Sequence, residues 1–299
     1  MAKGKRSRDP GALTDDTKLK NPEEDDGSSD EDLEMLDVDF EFFDPQPEHD
    51  FHGLKNLLRQ LFDADNALFD LSALVDLILS QPLLGSTVKV SGDEDAINKE
   101  DPYAFLTILN LEEHRETPVI RTLIKYLMQK SSTIPSLSPL VELLSPSSPA
   151  QIGLILTDRL RNMPAEIVPP MYSMLREEIS SALAENEPYA FSHYLVLSQT
   201  YAEKTSSIDG DDSRANKKRR KQGAGSSGDG NFYFHPEDEI LQRFALGSGN
   251  FEFTKQGDGG ADSKRAFQEL GIEPRGHLIL VAGEKFEEAV EAIGKYLAT

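Results

Sequence analysis

The chain has 299 residues, room for one large domain or two small ones, and its 53 acidic against 31 basic residues give a formal net charge of −22. So acidic a chain repels phosphate over most of its surface and attracts basic partners, which excludes nucleic-acid binding as a general surface property. It has no cysteine for a disulfide or thiolate site, no apolar core near its N-terminus for a signal, and no apolar run near the ~20 residues that cross a bilayer; the expectation is a soluble intracellular protein with no membrane partner.

Residues 1–36 divide by charge. Lys3, Lys5, Arg6 and Arg8 form a basic cluster, and Glu23–Asp32 reads EEDDGSSDED. With so few apolar groups this arm cannot offset the entropy of ordering, so it is expected to be disordered. Ser28 and Ser29 lie three residues before Glu31 and Asp32, a spacing acidophilic kinases favour; they are candidate phosphorylation sites, or simply serines in a solvated arm.

The folded part is expected over residues 37–299 as a single domain. Asp37–Phe42 alternates acidic and apolar residues, the period of a strand with one buried face. Asp50 is a candidate helix cap, followed by the apolar stripe Leu54, Leu57, Leu58, Leu61 and Phe62. A second helix is capped by Asp70 and carries Leu71, Leu74, Val75, Ile78 and Leu79. Thr87–Val90 reads as a short strand and Tyr103–Leu111 as a central one, apolar on both faces. Thr117-Pro118 starts a helix bearing Ile120, Leu123, Ile124, Leu127 and Met128, and a proline-rich stretch then leaves room for a short helix at Leu140–Leu144.

Gln151–Thr157 is another buried strand, and Pro169-Pro170 opens a helix with Met171, Leu175, Ile179 and Leu183 inward. Tyr189–Ser198 reads as a central strand, and its Pro-Tyr-Ala-Phe opening repeats Pro102–Phe105, as if two strands entered one sheet alike. Residues 203–230 break the composition: Lys217, Lys218, Arg219, Arg220 and Lys221 precede QGAGSSGDG, a flexible loop within the domain. Strands follow at Phe232–Phe234, Phe251–Thr254 and His277–Val281. Helices are expected after Pro236, with Glu237, Asp238 and Glu239 in a first turn that favours acids, around Ala266, Phe267 and Leu270, and at the end, with Phe286, Ala289, Val290, Ile293, Tyr296 and Leu297 inward. Interleaved strands and helices define an α/β or α+β class with a mixed sheet covered on both faces.

Enzyme motifs are weak. Gly257–Lys264 lacks the second glycine of a phosphate loop, and Gly247-Ser-Gly249 has Glu252 where a dinucleotide loop needs glycine; both read as turns. His49 and His52 share a helical spacing but no further metal ligand supports them, and His193 reads as a hydrogen-bonded core residue. Glu187 and Glu237 read as single carboxylates without a partner, and no G-x-S-x-G elbow is present. The sharper signal is Lys217–Lys221, whose five cations suit the acidic groove of a nuclear import receptor; Lys3–Arg8 is a second candidate signal. No aromatic residues interleave the cluster, so direct nucleic-acid binding is not expected. The leucines at 54, 57, 58 and 61 have the spacing of an export signal but read as a buried face.

From Val38 onward the chain resembles the BCCIP family. The resemblance rests on VDFEFFDP, DFHGLKNLLRQLF, GLILTDRLRNMPAEIVPPMY at Gly153–Tyr172, and FYFHPEDE at Phe232–Glu239. It implies a bent mixed sheet similar to the GCN5-related acetyltransferases, without their activity. Those enzymes cradle a pyrophosphate with a glycine-rich turn after the fourth strand. The corresponding stretch Asp158–Ile167 has no glycine, so no cofactor is expected, and Arg161, Asn162, Met163 and Pro164 become a candidate partner surface. The resemblance further implies a nuclear protein, shuttling with the cytoplasm, that escorts a basic large-subunit ribosomal protein in ribosome biogenesis and supports nuclear export of a phosphoinositide kinase. Two alternatives are an acyltransferase using acetyl-CoA, carried by fold analogy alone, and an acidic histone-binding protein.

Overall fold

Alternation in the strands and periodicity in the helices sort the apolar residues onto two faces of one sheet. The computed structural model describes residues 39–81, 84–90, 101–203, 231–254 and 272–297. Its strands are β1 (Phe40–Phe43), β2 (Ser86–Val90), β3 (Ala104–Asn110), β4 (Ile152–Arg159), β5 (His193–Glu203), β6 (Asn231–Tyr233), β7 (Ala245–Phe251) and β8 (Ile272–Ala282). They form one mixed sheet in the order β1-β2-β3-β4-β5-β8-β7, with β6 also on β5. Among the described residues only β4 and β5 run parallel; every other pair is antiparallel.

Helices cover both faces. On one lie α1 (Phe51–Phe62), α2 (Leu71–Leu79), α3 (Pro118–Ser131) and α4 (Ser138–Leu143), whose leucines and isoleucines meet Phe105, Leu154, Leu156, Leu195 and Leu197. On the other, α5 (Val168–Ala184), α6 (Pro236–Arg243) and α7 (Gly283–Leu297) pack on Leu106, Ile108, Ile155, Val196 and Ile279. The central strands are thus apolar on both faces, as their near-continuous runs require. Asp70 caps α2 by accepting from Ala73 N, and Pro118 stands at the start of α3, where a missing N–H costs nothing.

Several expectations are corrected. Asp50 does not cap α1. Its own backbone is already helical, and its buried carboxylate accepts from Gln46 N and pairs with Lys89 Nζ at 2.7 Å. Leu183 faces water, 42% exposed, and Ala182 is buried in its place: at about 100° per residue Ala182 lies within about 20° of Leu175, Leu183 about 80° away. Tyr296, in the last turn of α7, is exposed. The second Pro-Tyr-Ala-Phe is a turn before β5 rather than its first residues, with Phe191 N donating to Tyr189 O. The late strand is Ala245–Phe251, not Phe251–Thr254, so Gly247 and Gly249 sit in β7 rather than in a turn. There a Cβ on Gly247 would run into the carbonyl of Ser136, and the absent side chain lets the 135–137 turn lie against the sheet's last strand. The expected helix around Ala266 lies outside the described residues.

The sheet opens at its parallel pair. β5 pairs with β4 from His193 to Leu197, then with β6 from Thr200 to Ala202. Beyond Leu156, β4 keeps only β3 as a partner. Between the end of β4 and Ser198 the ladder therefore parts.

Candidate functional site

The parting is filled by charge. β4 is an apolar strand that ends Asp158-Arg159, and both side chains are buried. Opposite them α6 begins His235-Pro-Glu-Asp, with Pro236 fixing the first turn so that Glu237 and Asp238 point inward rather than to solvent. Arg159 grips Glu237 with two bonds, Nη1 to Oε1 and Nη2 to Oε2. His235 Nε2 lies 3.4 Å from Asp158 Oδ1, and Ser198 of β5 donates to Asp238 Oδ2. Glu237, which reads in the sequence as an isolated carboxylate, thus stands within one network with two aspartates, a histidine and an arginine.

Burial sets the charge states here. It pushes the Asp238 carboxyl up to about 7, with Glu237 adding to the rise and His235 opposing it. Burial opposes charge on His235, but its bond to Asp158 and the field of Glu237 prevail and hold it above the usual histidine range. Burial likewise disfavours ionised Glu237, yet His235 and Arg159 hold it below the ordinary carboxylate value. Burial and then the charges of Glu237 and Asp238 push the Tyr172 hydroxyl well above its ordinary value.

Ser198, His235 and Asp158 stand in the order of a hydrolytic triad, Ser198 Oγ being 3.3 Å from His235 Nδ1. The serine proton goes to Asp238 instead of the imidazole, and Ser198 is fully buried. A nucleophile needs a base that takes its proton and a path for substrate, so these residues form a structural tie between β4, β5 and α6. On the opposite face the parting is closed by amides: Gln60 Nε2 donates to Asp158 Oδ2 and Arg159 O, and Gln199 Nε2 donates to Gln60 O and Leu61 O.

Next to Gln60 the surface is hollowed into a cleft of about 280 Å³ lined by Gly53, Asn56, Leu57 and Gln60 of α1, by Asp101, Pro102 and Tyr103 ahead of β3, and by Leu160. α1 approaches Pro102 closely at Gly53, where a Cβ would collide with the proline ring. Leu160 is 37% exposed, and Arg161 beside it lies over the Phe234 ring at 4.5 Å. Phe234 leans on Tyr201, which stacks on Phe232.

Of the candidate partner residues, Arg161 and Asn162 are exposed, Pro164 is half-buried and Met163 is buried in the core. This segment offers an anion few amides. Leu160 N donates to Tyr103 O and Met163 N to Leu160 O, while Pro164, Pro169 and Pro170 have no N–H. Leu54, Leu57, Leu58 and Leu61 are buried, as a helix face rather than an export signal. His193 is half-buried at the start of β5 and bonds Ser192 Oγ through Nδ1. No cluster of metal-binding side chains occurs among the described residues. Lys3, Lys5, Arg6, Arg8, Ser28, Ser29 and Lys217–Lys221 lie outside the described residues.

The ion cluster escaped sequence reasoning because Glu237 and Asp238 have the appearance of ordinary first-turn acids. The strand read as Gln151–Thr157 runs on to Arg159, and the two charged residues it takes in are buried, which a sheet tolerates only where charges meet partners.

Comparison with known proteins places this architecture. The BCCIP family model matches residues 35–241. Protein bcp1 of Aspergillus fumigatus is 59% identical over 277 residues, covering 92% of each chain. Protein bcp1 of Schizosaccharomyces pombe is 48% identical over 261 residues, 87% of this chain and 89% of that one. The crystal structure of BCP1 from Saccharomyces cerevisiae superposes with a TM-score of 0.58 at 25% identity, covering 90% of this chain and 92% of that one.

Proposed function

This chain belongs to the BCCIP family, and from that premise we propose that it is a nuclear escort for a basic large-subunit ribosomal protein, acting in ribosome biogenesis and supporting export of partners that include a phosphoinositide kinase. The observation that carries this reading is the charge of −22. Ribosomal proteins present cations shaped to meet RNA phosphate; an acidic surface occupies those cations and yields them to the stronger field of rRNA. Import receptors taking Lys217–Lys221 are the implied route into the nucleus.

Kinship with the GCN5-related acetyltransferases belongs to the same proposal. Its support is the parallel β4–β5 pair that parts beyond Leu156. Against acyl transfer, Arg159 and Glu237 fill that parting and the following turn offers few amides to a pyrophosphate.

The test is binding kinetics with a purified basic large-subunit ribosomal protein at several salt concentrations. Long-range attraction is screened over about 8 Å at physiological salt, so it acts on encounter more than on the docked complex. Deleting residues 1–36 is expected to slow association and flatten its salt dependence, with dissociation little changed. Faster dissociation at an unchanged association rate places the arm in the bound interface and refutes steering. No binding by either form, or preference for histones, removes the client assignment.

A further inference from the structure

The register of the sheet brings one set of residues to one end. Phe40 pairs with Val90, Val88 with Ala104, Ala104 with Arg159, and Glu203 with Ile272, while Asn231 pairs with Ala202. The 280 Å³ cleft opens at this end, where β3 begins and β4 ends. Turns such as 111–117 and 185–192 lie at the opposite end.

The cleft walls are mostly apolar: Leu57, Pro102, Tyr103 and Leu160. Its polar lining is largely engaged, since Gln60 bonds Asp158 and Asn56 accepts from Arg59. Asp101 is the exception: its carboxylate has no hydrogen bond or ion pair among the described residues. A half-buried carboxylate at the rim of an apolar hollow fits one kind of occupant, an apolar side chain flanked by a cation.

We propose that the cleft between α1, the entry to β3 and Leu160 is the docking site for an extended basic segment of the partner, one apolar side chain entering against Tyr103 and Leu160 and an adjacent lysine or arginine meeting Asp101. This rests on the escort reading for the partner's identity and on the cleft for its chemistry. Charge complementarity decides the occupant: an acidic segment would meet Asp101 with like charge, whereas a basic one is drawn by both Asp101 and the net charge of the chain.

The experiment uses the full chain and three variants, Leu160→Ser, Asp101→Lys and, as a control at the far end, Leu183→Ser. Two probes are measured by fluorescence anisotropy: a labelled Lys-Lys-Leu-Lys-Lys peptide and its Lys-Lys-Ser-Lys-Lys counterpart; a purified large-subunit ribosomal protein is measured in parallel. Leu160→Ser and Asp101→Lys are each expected to weaken the leucine peptide about tenfold, a typical loss for one good interfacial contact. Leu183→Ser should leave affinity unchanged, and all variants should retain the parent melting temperature. Weakening by Asp101→Lys should fade at high salt and weakening by Leu160→Ser persist. Equal binding of both peptides, or indifference to both cleft variants, overturns the proposal. So does a large gain in peptide affinity on deleting residues 1–36, which makes the arm the occupant, or a self-association abolished by Leu160→Ser, which makes it a second copy. Peptide binding at the cleft with no binding of the ribosomal protein supports the site and refutes the escort reading; the converse refutes the site alone.

Discussion

Arg159 and Glu237 show what a single buried pair does to a sheet. Removing one partner leaves the other ionised and dry, a loss of roughly 3–5 kcal/mol, whereas replacing both with apolar groups of similar volume is often neutral. Arg159→Met is therefore expected to destabilise strongly and Arg159→Met with Glu237→Leu to recover most of the loss, read by urea unfolding; a double variant no better than the single one refutes the pairing. Asp238 and His235 give the cluster a pH dependence. Both are held above their unfolded values, so each contributes stability that is full below the unfolded pKa and declines as pH rises through the folded one. Glu237, held low, acts oppositely and only under acid conditions. Asp238's contribution is expected to fall from about pH 4 to about pH 7, and Asp238→Asn to flatten that fall; thermal melts across the range check it, and an unchanged slope in the variant removes Asp238 from the account. Sequence alone ends β4 at Thr157 and so leaves Asp158 and Arg159, its last two residues, outside it. It does not expose their partners, which lie some 78 positions away and meet them only because β5 takes β6 in place of β4.

At the scale of elements, Gly53 sets how closely α1 approaches the entry to β3. A Cβ there meets the Pro102 ring, which the backbone holds rigid. Gly53→Ala is thus expected to cost about 1–3 kcal/mol despite alanine's better helix propensity, measured by denaturant unfolding. A neutral or stabilising outcome means that the proline yields. The elements themselves were largely legible. The stripes of α1, α2 and α3 and the runs in β3, β4 and β8 follow directly from periodicity, and α2 and α3 begin at the Asp70 cap and the Pro118 that the sequence supplies. Legibility failed where tertiary contact overrides local pattern. β7 carries Leu246 exposed at a bulge and two glycines under the 135–137 turn, so neither its alternation nor its composition resembles a strand. The register that gathers Asp101, Leu160 and Phe234 at one end is a property of the sheet order, which no local pattern encodes.

At the scale of the molecule, the cluster Lys217–Lys221 falls in sequence between Glu203 and Asn231, outside the described residues. Replacing all five residues by alanine is expected to abolish nuclear accumulation of a tagged chain while changing stability within ~0.5 kcal/mol, the usual range for surface changes. Imaging and a melting curve together check this. Undiminished accumulation transfers the import role to Lys3–Arg8 or to a carrier, and a large loss of stability means that the segment packs. The two faces are otherwise unequal in kind. The α1–α4 face carries the cleft with Asp101 at its rim, and the α5–α7 face carries the charged anchor of α6.

The order of the strands also bears on how the chain is made. β1 to β4 are neighbours in the sheet in the order of synthesis, so each finds its partner as it emerges. β5 is different. Its eleven residues pair along their whole length with β8, which is synthesised only after β6, α6 and β7. Until then Leu195, Val196 and Leu197 present an apolar strand with one edge bare, the kind of edge on which nascent chains join one another. The vulnerable interval in the life of this protein is thus the time its ribosome takes to travel from β5 to β8.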